Sequence, residues 1–342
     1  MKRFNIAYFG TPYFSALFLE KIITDASINR LIEVKFVVTR PDKPVGRKQI
    51  MTKSRVKLVA EKYNIPVIDD LKKLPVSSYK LQEVDFAHLY AYGGIIQKGL
   101  LNKPKLGFLN THPSLLSKYR GPSPITYPLI FGDKKTGVTL IKLDEEIDHG
   151  PIIIQEQITI LPSDRRPDLE IKLTNLAFTI FKKMIIQLLT SREIELKTIE
   201  QNHKLATFTR MLTKEDGFIP FPTLQKALKN DPLIFEEIPT LIKNYLNNNP
   251  QLIENWELKI ENSPKIVYDY FRGLYPWPGL WTLIDINGVK KRLKITSLTM
   301  KPAFAKASAG KQYNNVTIES VQLEGKNEVD FQTFNKAYNV FE

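Results

Sequence analysis

Asn110 and His112 stand two residues apart in the segment Leu109-Asn110-Thr111-His112-Pro113, and on an extended chain residues i and i+2 point to the same face. An amide donor beside an imidazole can hold a developing oxyanion and move a proton, the two tasks that acyl transfer to an amine demands. The alternative is a histidine that caps a turn. The loop Asp144-Glu145-Glu146-Ile147-Asp148-His149-Gly150 offers carboxylates that could orient His112 and favour its protonated form; a solvated turn would have the same composition. Between the two segments lies Lys118-Tyr119-Arg120-Gly121-Pro122-Ser123-Pro124, a basic and rigid connection suited to guiding an anionic substrate. Gly10-Thr11-Pro12 closes the first apolar run, where the backbone N–H groups of a helix start can hold an anion or a polar ligand.

Other chemistries lack their residues. Without cysteine there is no disulfide, thiolate metal site or Cys nucleophile, and a reducing compartment is permitted. The sequence has no G-x-G-x-x-G, no G-x-x-x-x-G-K-[ST] and no G-x-S-x-G, which argues against a dinucleotide cofactor and a nucleophile elbow. Its four histidines, His88, His112, His149 and His203, show no H-E-x-x-H spacing, so no metal is expected. No run approaches the roughly 18 apolar residues of a membrane span, and the start of the chain lacks the apolar core of a signal peptide. A cytoplasmic protein is expected.

Charge points to a polyanionic partner. The formal net charge of the 342 residues is +13, and an excess of that size suggests nucleic acid. Between Arg40 and Lys57 stand Arg40, Lys43, Arg47, Lys48, Lys53, Arg55 and Lys57 against Asp42 alone. Pro41, Pro44 and Gly46 predict a loop there, able to reach toward phosphates.

The elements that must position these groups alternate along the chain. Apolar runs predict strands at 4–9, 34–39, 86–91, 107–110, 137–143 and 152–160, and amphipathic patterns predict helices at 14–23, 54–63, 125–131 and 169–189. Strands and helices in turn imply right-handed crossovers and a doubly wound, mostly parallel sheet. Such sheets bind ligands outside the carboxyl ends of their strands, where Asn110 and His112 fall. After residue 205 the chain turns polar and extended, and Pro220 and Pro222 mark an interdomain linker over 206–222. One or two helices are predicted over 223–262, a helix at 264–274, a hairpin at 281–286 and 289–296 about Asn287-Gly288, and a strand at 316–323. This predicts a small β-rich second domain, with the low-complexity stretch 301–311 as a surface loop.

Taken together, these segments resemble the methionyl-tRNA formyltransferases. The matches are F-G-T-P-Y-F (9–14), T-R-P-D-K-P-V-G-R (39–47), A-Y-G-G-I-I (91–96), G-F-L-N-T-H-P-S-L-L (107–116), K-Y-R-G-P-S-P-I (118–125), T-G-V-T-L (136–140) and D-E-E-I-D-H-G-P-I-I (144–153). A-T-F-T-R-M-L-T-K-E-D-G (206–217), Y-P-W-P-G (275–279) and V-Q-L-E-G-K (321–326) extend them, in the family's order, along nearly the whole chain. The core motifs are shared with glycinamide-ribonucleotide and sugar formyltransferases, whereas the linker and the Pro-Trp-Pro-Gly domain resemble the tRNA enzymes.

The resemblance implies a Rossmann-like formyltransferase domain over 1–205 and an OB-like, tRNA-binding barrel over 263–342, with 223–262 as a helical insertion. It implies transfer of the formyl group of 10-formyltetrahydrofolate to the α-amine of methionyl initiator tRNA by a monomer. The implied catalytic trio is Asn110, His112 and Asp148. Folate is expected along Tyr92, Gly93, Gly94, Ile95 and Ile96, along Ser114, Leu115, Leu116 and Ser117, and at Asp144 and Ile147. The methionyl-tRNA is expected at Gly10, Thr11, Pro12, Phe14, Arg40, Lys43, Arg47, Lys48 and Arg120. The chain departs from the family pattern at Ser117, where a proline is usual, at His149, where a small residue or Thr is usual, and at Lys48-Gln49-Ile50, where a lysine pair follows Gly-Arg. Two other readings share the core: formyl transfer to a sugar-nucleotide amine, and a non-catalytic RNA-binding relative.

Overall fold

The first strand, β1 (Phe4–Gly10), is apolar on both faces and largely buried, as a strand covered on either side by helices must be. A computed structural model describes residues 3–46, 48–71, 79–190, 196–253, 256, 260–302 and 314–341 of the chain. The remaining strands are β2 (Ile32–Val38), β3 (Lys43–Val45), β4 (Ile50–Thr52), β5 (Val67–Ile68), β6 (Phe86–Tyr90), β7 (Phe108–His112), β8 (Lys135–Lys142), β9 (Ile152–Thr159), β10 (Leu280–Ile286), β11 (Val289–Pro302), β12 (Asn314–Leu323) and β13 (Glu328–Asp330). The helices are α1 (Tyr13–Thr24), α2 (Arg55–Lys62), α3 (Lys98–Leu101), α4 (Thr126–Ile130), α5 (Arg166–Thr190), α6 (Phe221–Lys229), α7 (Thr240–Asn247), α8 (Ser263–Leu274) and α9 (Phe331–Tyr338).

The chain divides into two compact units, one of residues 1–124, 135–159 and 169–208, the other of 125–134, 160–168 and 209–342. It therefore passes between the units several times. Segment 125–134 packs there by its aromatics: Phe131 lies 4.6 Å from Tyr245 and 5.4 Å from Trp256, ring to ring, and Tyr127 lies 5.0 Å from Tyr245. Tyr245 and Trp256 thus pack into the second unit's core.

In the first unit seven strands form one sheet in the order β5-β2-β1-β6-β7-β8-β9. Pairing is parallel from β5 to β7 and antiparallel from β7 to β9, so the doubly wound order gives way to a meander where the candidate residues stand. Strand β7 runs on to His112, two residues beyond its predicted end at 110. Gly10 is required by close approach, since a Cβ there would lie 2.0 Å from Ser15 Oγ and 3.1 Å from the Tyr90 carbonyl oxygen.

The β-rich second domain is a four-stranded antiparallel meander, β10-β11-β12-β13; among the described residues no pairing joins its edges into a barrel. Its first turn is the expected one, with Asn287 at φ 53° and Gly288 at φ 80°, the left-handed pair of a type I′ hairpin. The low-complexity stretch lies outside the described residues from 303 on. Among the described residues no helix is long and apolar enough to cross a membrane.

Candidate active site

Asn110 and His112 share one face of β7, as their spacing requires, and both meet Asp148. Asn110 Nδ2 donates to Asp148 Oδ1 at 3.0 Å, and His112 Nδ1 stands 3.4 Å from Asp148 Oδ2. Thr111, between them, points to the opposite face and meets His88 Nε2 at 3.2 Å. The register of β7 on β8, with His112 opposite Thr139, fixes how far the pair projects. Asp148 arrives from the loop between β8 and β9 at φ 50°, a conformation that costs a non-glycine residue about 1 to 3 kcal/mol and clusters at functional sites. Gly150 secures that loop, because a Cβ there would lie 1.9 Å from the Lys142 carbonyl oxygen.

The backbone completes the cluster. The Gly121 N–H donates to Asp148 Oδ2 at 2.8 Å, and the Tyr119 carbonyl lies 2.9 Å from His112 Nε2. His112 thus has an acceptor at each ring nitrogen, which favours the imidazolium. Burial by itself would depress its pKa, but Asp148 and the Tyr119 carbonyl outweigh burial and hold it above the ordinary value. Burial likewise works to raise Asp148, and His112, the Gly121 N–H and Arg120 overcome it, leaving the carboxyl below its usual range. The outcome is a buried ion pair with an amide on the same carboxylate.

The other predicted residues separate by exposure. Ile95 is 85% exposed and Ile147 64%, and Lys98 Nζ reaches Glu145 Oε1 at 2.6 Å, drawing their two segments together. Gly93 is exposed at φ 72° and Gly94 abuts the Tyr92 ring. Tyr92 itself is buried against Phe9, and the Thr11 hydroxyl donates to its carbonyl oxygen at 2.8 Å. Phe14 is half-buried and meets Tyr90 edge-on at 5.3 Å.

Several of the other expected residues are buried or engaged within the chain. Ser114, Leu116 and Ser117 are buried and their polar groups are engaged within the chain. The Ser114 hydroxyl donates to the Lys118 carbonyl oxygen, the Leu116 N–H to Thr139 Oγ1, and the Ser117 hydroxyl to the Asn202 carbonyl oxygen. Of that segment only Leu115 is half-exposed. Arg120, expected among the substrate contacts, is 3% exposed and donates inward to Gln201 Oε1 and to His203 Nδ1, each at 2.8 Å. The basic segment is not an irregular loop: β3 and β4 pair as a short hairpin that exposes Lys43, Lys48, Val45, Ile50 and Met51. Arg40 is exposed beside it, Lys57 is engaged by Asp42 and Asp69, and Arg47 lies outside the described residues.

Gln201 is the residue that sequence reasoning missed. It is 5% exposed, and its Nε2 donates to the carbonyl oxygens of Asp148 and Gly150 at 2.9 and 2.8 Å. A lone glutamine in a polar stretch carries no local signal; only the fold brings it under the loop. Among the described residues no group of three or more His, Asp or Glu side chains is placed to hold a metal ion.

An Asn, a His and an Asp gathered at the carboxyl edge of such a sheet have the chemistry that acyl transfer to an amine uses, and the formyl transferase family model matches residues 4–185. A methionyl-tRNA formyltransferase of Thermotoga maritima is 38% identical, covering 69% of this chain and 74% of its own. One of Staphylococcus epidermidis is 32% identical over 84% of this chain and 78% of its own. The N-formyltransferase of Helicobacter canadensis, solved with folinic acid and dTDP-3-aminofucose, shares the fold at a TM-score of 0.55 and 18% identity, covering 96% of this chain and 99% of its own. The chain belongs to the methionyl-tRNA formyltransferase family.

Proposed function

We propose that Asn110, His112 and Asp148 are the catalytic residues with which this chain moves the formyl group of 10-formyltetrahydrofolate to the α-amine of methionyl initiator tRNA. The single observation that carries their assignment is the convergence of Asn110 Nδ2, His112 Nδ1 and the Gly121 N–H on one carboxylate. The reaction and substrates are those of the family to which the chain belongs.

The folate supplies an electrophilic formyl carbon, which the amine attacks as charge gathers on the formyl oxygen. Asn110 has two amide hydrogens; Asp148 takes one, which orients the other toward that charge. The His112 imidazolium stabilises the same oxyanion. At 3.4 Å its contact with Asp148 is an ion pair without a short hydrogen bond, so the Nδ1 proton is available to an anion forming beside it. Asp148 keeps His112 cationic and, through water, takes the proton released by the attacking nitrogen; as the tetrahedral intermediate collapses, the bond from the formyl carbon to the folate nitrogen breaks, and that nitrogen leaves as tetrahydrofolate with the proton returned from Asp148.

The exposed Ile95 and Ile147, with the backbone of Gly93 and Gly94 and the carboxylate of Asp144, fit a flat heteroaromatic ring that needs apolar cover and polar edges. The β3–β4 hairpin, with Lys43 and Lys48, and the neighbouring Arg40 fit a phosphate backbone. A single chain supplies every group of the catalytic cluster, which supports a monomer as the acting form, and a tRNA substrate supports a cytosolic site of action. The test is formyl transfer from 10-formyltetrahydrofolate to methionyl initiator tRNA, with free methionine and an aminosugar nucleotide as parallel acceptors. Formylated methionyl-tRNA as sole product is expected; transfer to the sugar alone would overturn the substrate.

A further inference from the structure

We propose that His203, stacked on His149, is a positioning residue for Asp148 in formyl transfer, an inference that rests on the catalytic reading above. Its ring lies 4.0 Å from that of His149 at an interplanar angle of 9°. His203 Nδ1 is 2.8 Å from an Arg120 guanidinium nitrogen. A guanidinium only donates, so Nδ1 is the acceptor and His203 in this arrangement is neutral, with its proton on Nε2. The same Arg120 nitrogen donates to Gln201 Oε1 at 2.8 Å.

That contact fixes which way the Gln201 amide points. With Oε1 on Arg120, Nε2 must face the loop, where it donates to the carbonyl oxygens of Asp148 and Gly150. The flipped amide would set an oxygen against two carbonyl oxygens. The two bonds bracket His149 and hold Asp148 in its left-handed conformation. On the outer side His149 Nδ1 reaches Asp144 Oδ2 at 2.7 Å, with Glu146 Oε1 3.9 Å from Nε2. The charged groups facing the stacked rings are therefore Arg120, Asp144 and Glu146, with Asp148 adjoining through the backbone. The stack ties the outer end of the loop to the segment that grips its inner end.

His203→Phe keeps a flat ring against His149 and removes the acceptor for Arg120; His203→Asn removes the ring but places an amide oxygen where Nδ1 was. With its His203 acceptor gone, Arg120 shifts and holds the Gln201 amide less firmly, so Asp148 drifts from His112 and the His112 imidazolium loses its proton at lower pH. Expected for His203→Phe is a fall in kcat of about tenfold or more, with KM for methionyl-tRNA within about twofold of the wild type. The alkaline limb of the kcat profile should move about half a pH unit or more toward acid. His203→Asn should recover most of kcat and the position of the limb. A wild-type profile for His203→Phe, a fall in kcat without displacement of the limb, or no recovery by His203→Asn would each overturn the proposal. If His203→Phe does not fold, as thermal unfolding would show, His203→Leu is read in its place. The wild-type chain run alongside separates the two levels: no transfer by the wild type overturns the catalytic reading, whereas equal transfer by wild type and variant overturns only the role of His203.

Discussion

His112 Nδ1 stands 3.4 Å from Asp148 Oδ2 while its Nε2 faces the Tyr119 carbonyl oxygen at 2.9 Å, so the imidazole is held between an anion and a dipole, both of which favour its cation. On the proposed mechanism the histidine is an electrostatic partner for developing negative charge before it is a base. Asp148→Asn should therefore lower kcat by about 100-fold or more while methionyl-tRNA binding stays near the wild-type value, and Asn110→Ala should cost about 10²- to 10³-fold as the loss of one oxyanion donor. Single-turnover rates alongside filter-binding affinities check this; loss of affinity with the rate intact would reverse the roles.

The ionisation of His112 can be followed directly by NMR. Its folded-state pKa is raised because Asp148 and the Tyr119 carbonyl outweigh the opposing effect of burial, so the cation persists to higher pH than in a free imidazole. Asp148→Asn leaves burial opposed only by dipoles, and the midpoint should move toward acid by about one pH unit or more. An unmoved midpoint would show that Asp148 does not act on His112.

His88 answers to pH in the opposite sense and reports stability. It is fully buried, stacked on Phe18 at 5.1 Å and edge-on to Phe181 at 4.8 Å, and burial pushes its pKa down to about 3. The unfolded chain takes up this proton near pH 6.5 whereas the folded chain refuses it until about 3. This residue's effect on stability is thus negligible above pH 6.5 and becomes a penalty as pH falls, at about 1.4 kcal/mol per pH unit. Between pH 7 and 5 the wild type should lose about 2 kcal/mol more than His88→Phe in urea unfolding. Parallel losses would place His88 in contact with water.

Lys43 and Lys48 are exposed on and beside the tip of the β3–β4 hairpin. If they meet phosphates, replacing both with Ala should weaken tRNA binding and lower the log–log salt slope by about one for each lysine, with kcat at saturating tRNA unchanged. Titrations between low and moderate salt would show it; an unchanged slope would remove the hairpin from the tRNA surface.

Phe131 is 4% exposed and packed on Tyr245 and Trp256. Phe131→Ala should destabilise the second unit by about 3 to 5 kcal/mol, the usual range for a buried phenylalanine. Denaturant unfolding measures it, and a loss below about 1 kcal/mol would mean that residues 223–262 do not cover this helix.

Alternation of apolar runs and amphipathic stretches was enough to place most elements of the sheet to within a few residues, because a two-residue or 3.6-residue repeat is written locally in the chain. Asn110 and His112 were legible for the same reason: their spacing on an extended segment puts them on one face without knowledge of what lies opposite. The Asn287-Gly288 turn was legible because its left-handed dihedrals demand such residues. What a linear reading could not supply was the partner across space. Ser114 and Ser117 are polar and near the site, yet their hydroxyls are consumed by carbonyl oxygens of the chain. Arg120 reads as a cation for an anionic substrate, whereas in the fold it is buried and donates to Gln201 and His203.

By itself, then, the sequence determined a mostly parallel α/β sheet, a second β-rich unit, a net positive charge suited to a polyanion, and the residue types of an oxyanion site. The tertiary structure alone decided that Asp148 meets both Asn110 and His112, that Gln201 holds Asp148 by its backbone, and that α4 keeps company with residues more than a hundred positions away. The physical reason is range: dihedral preference and hydrophobic period act between near neighbours, whereas charge pairing, amide orientation and desolvation act between groups that only a closed sheet edge and a packed core bring within a few ångströms.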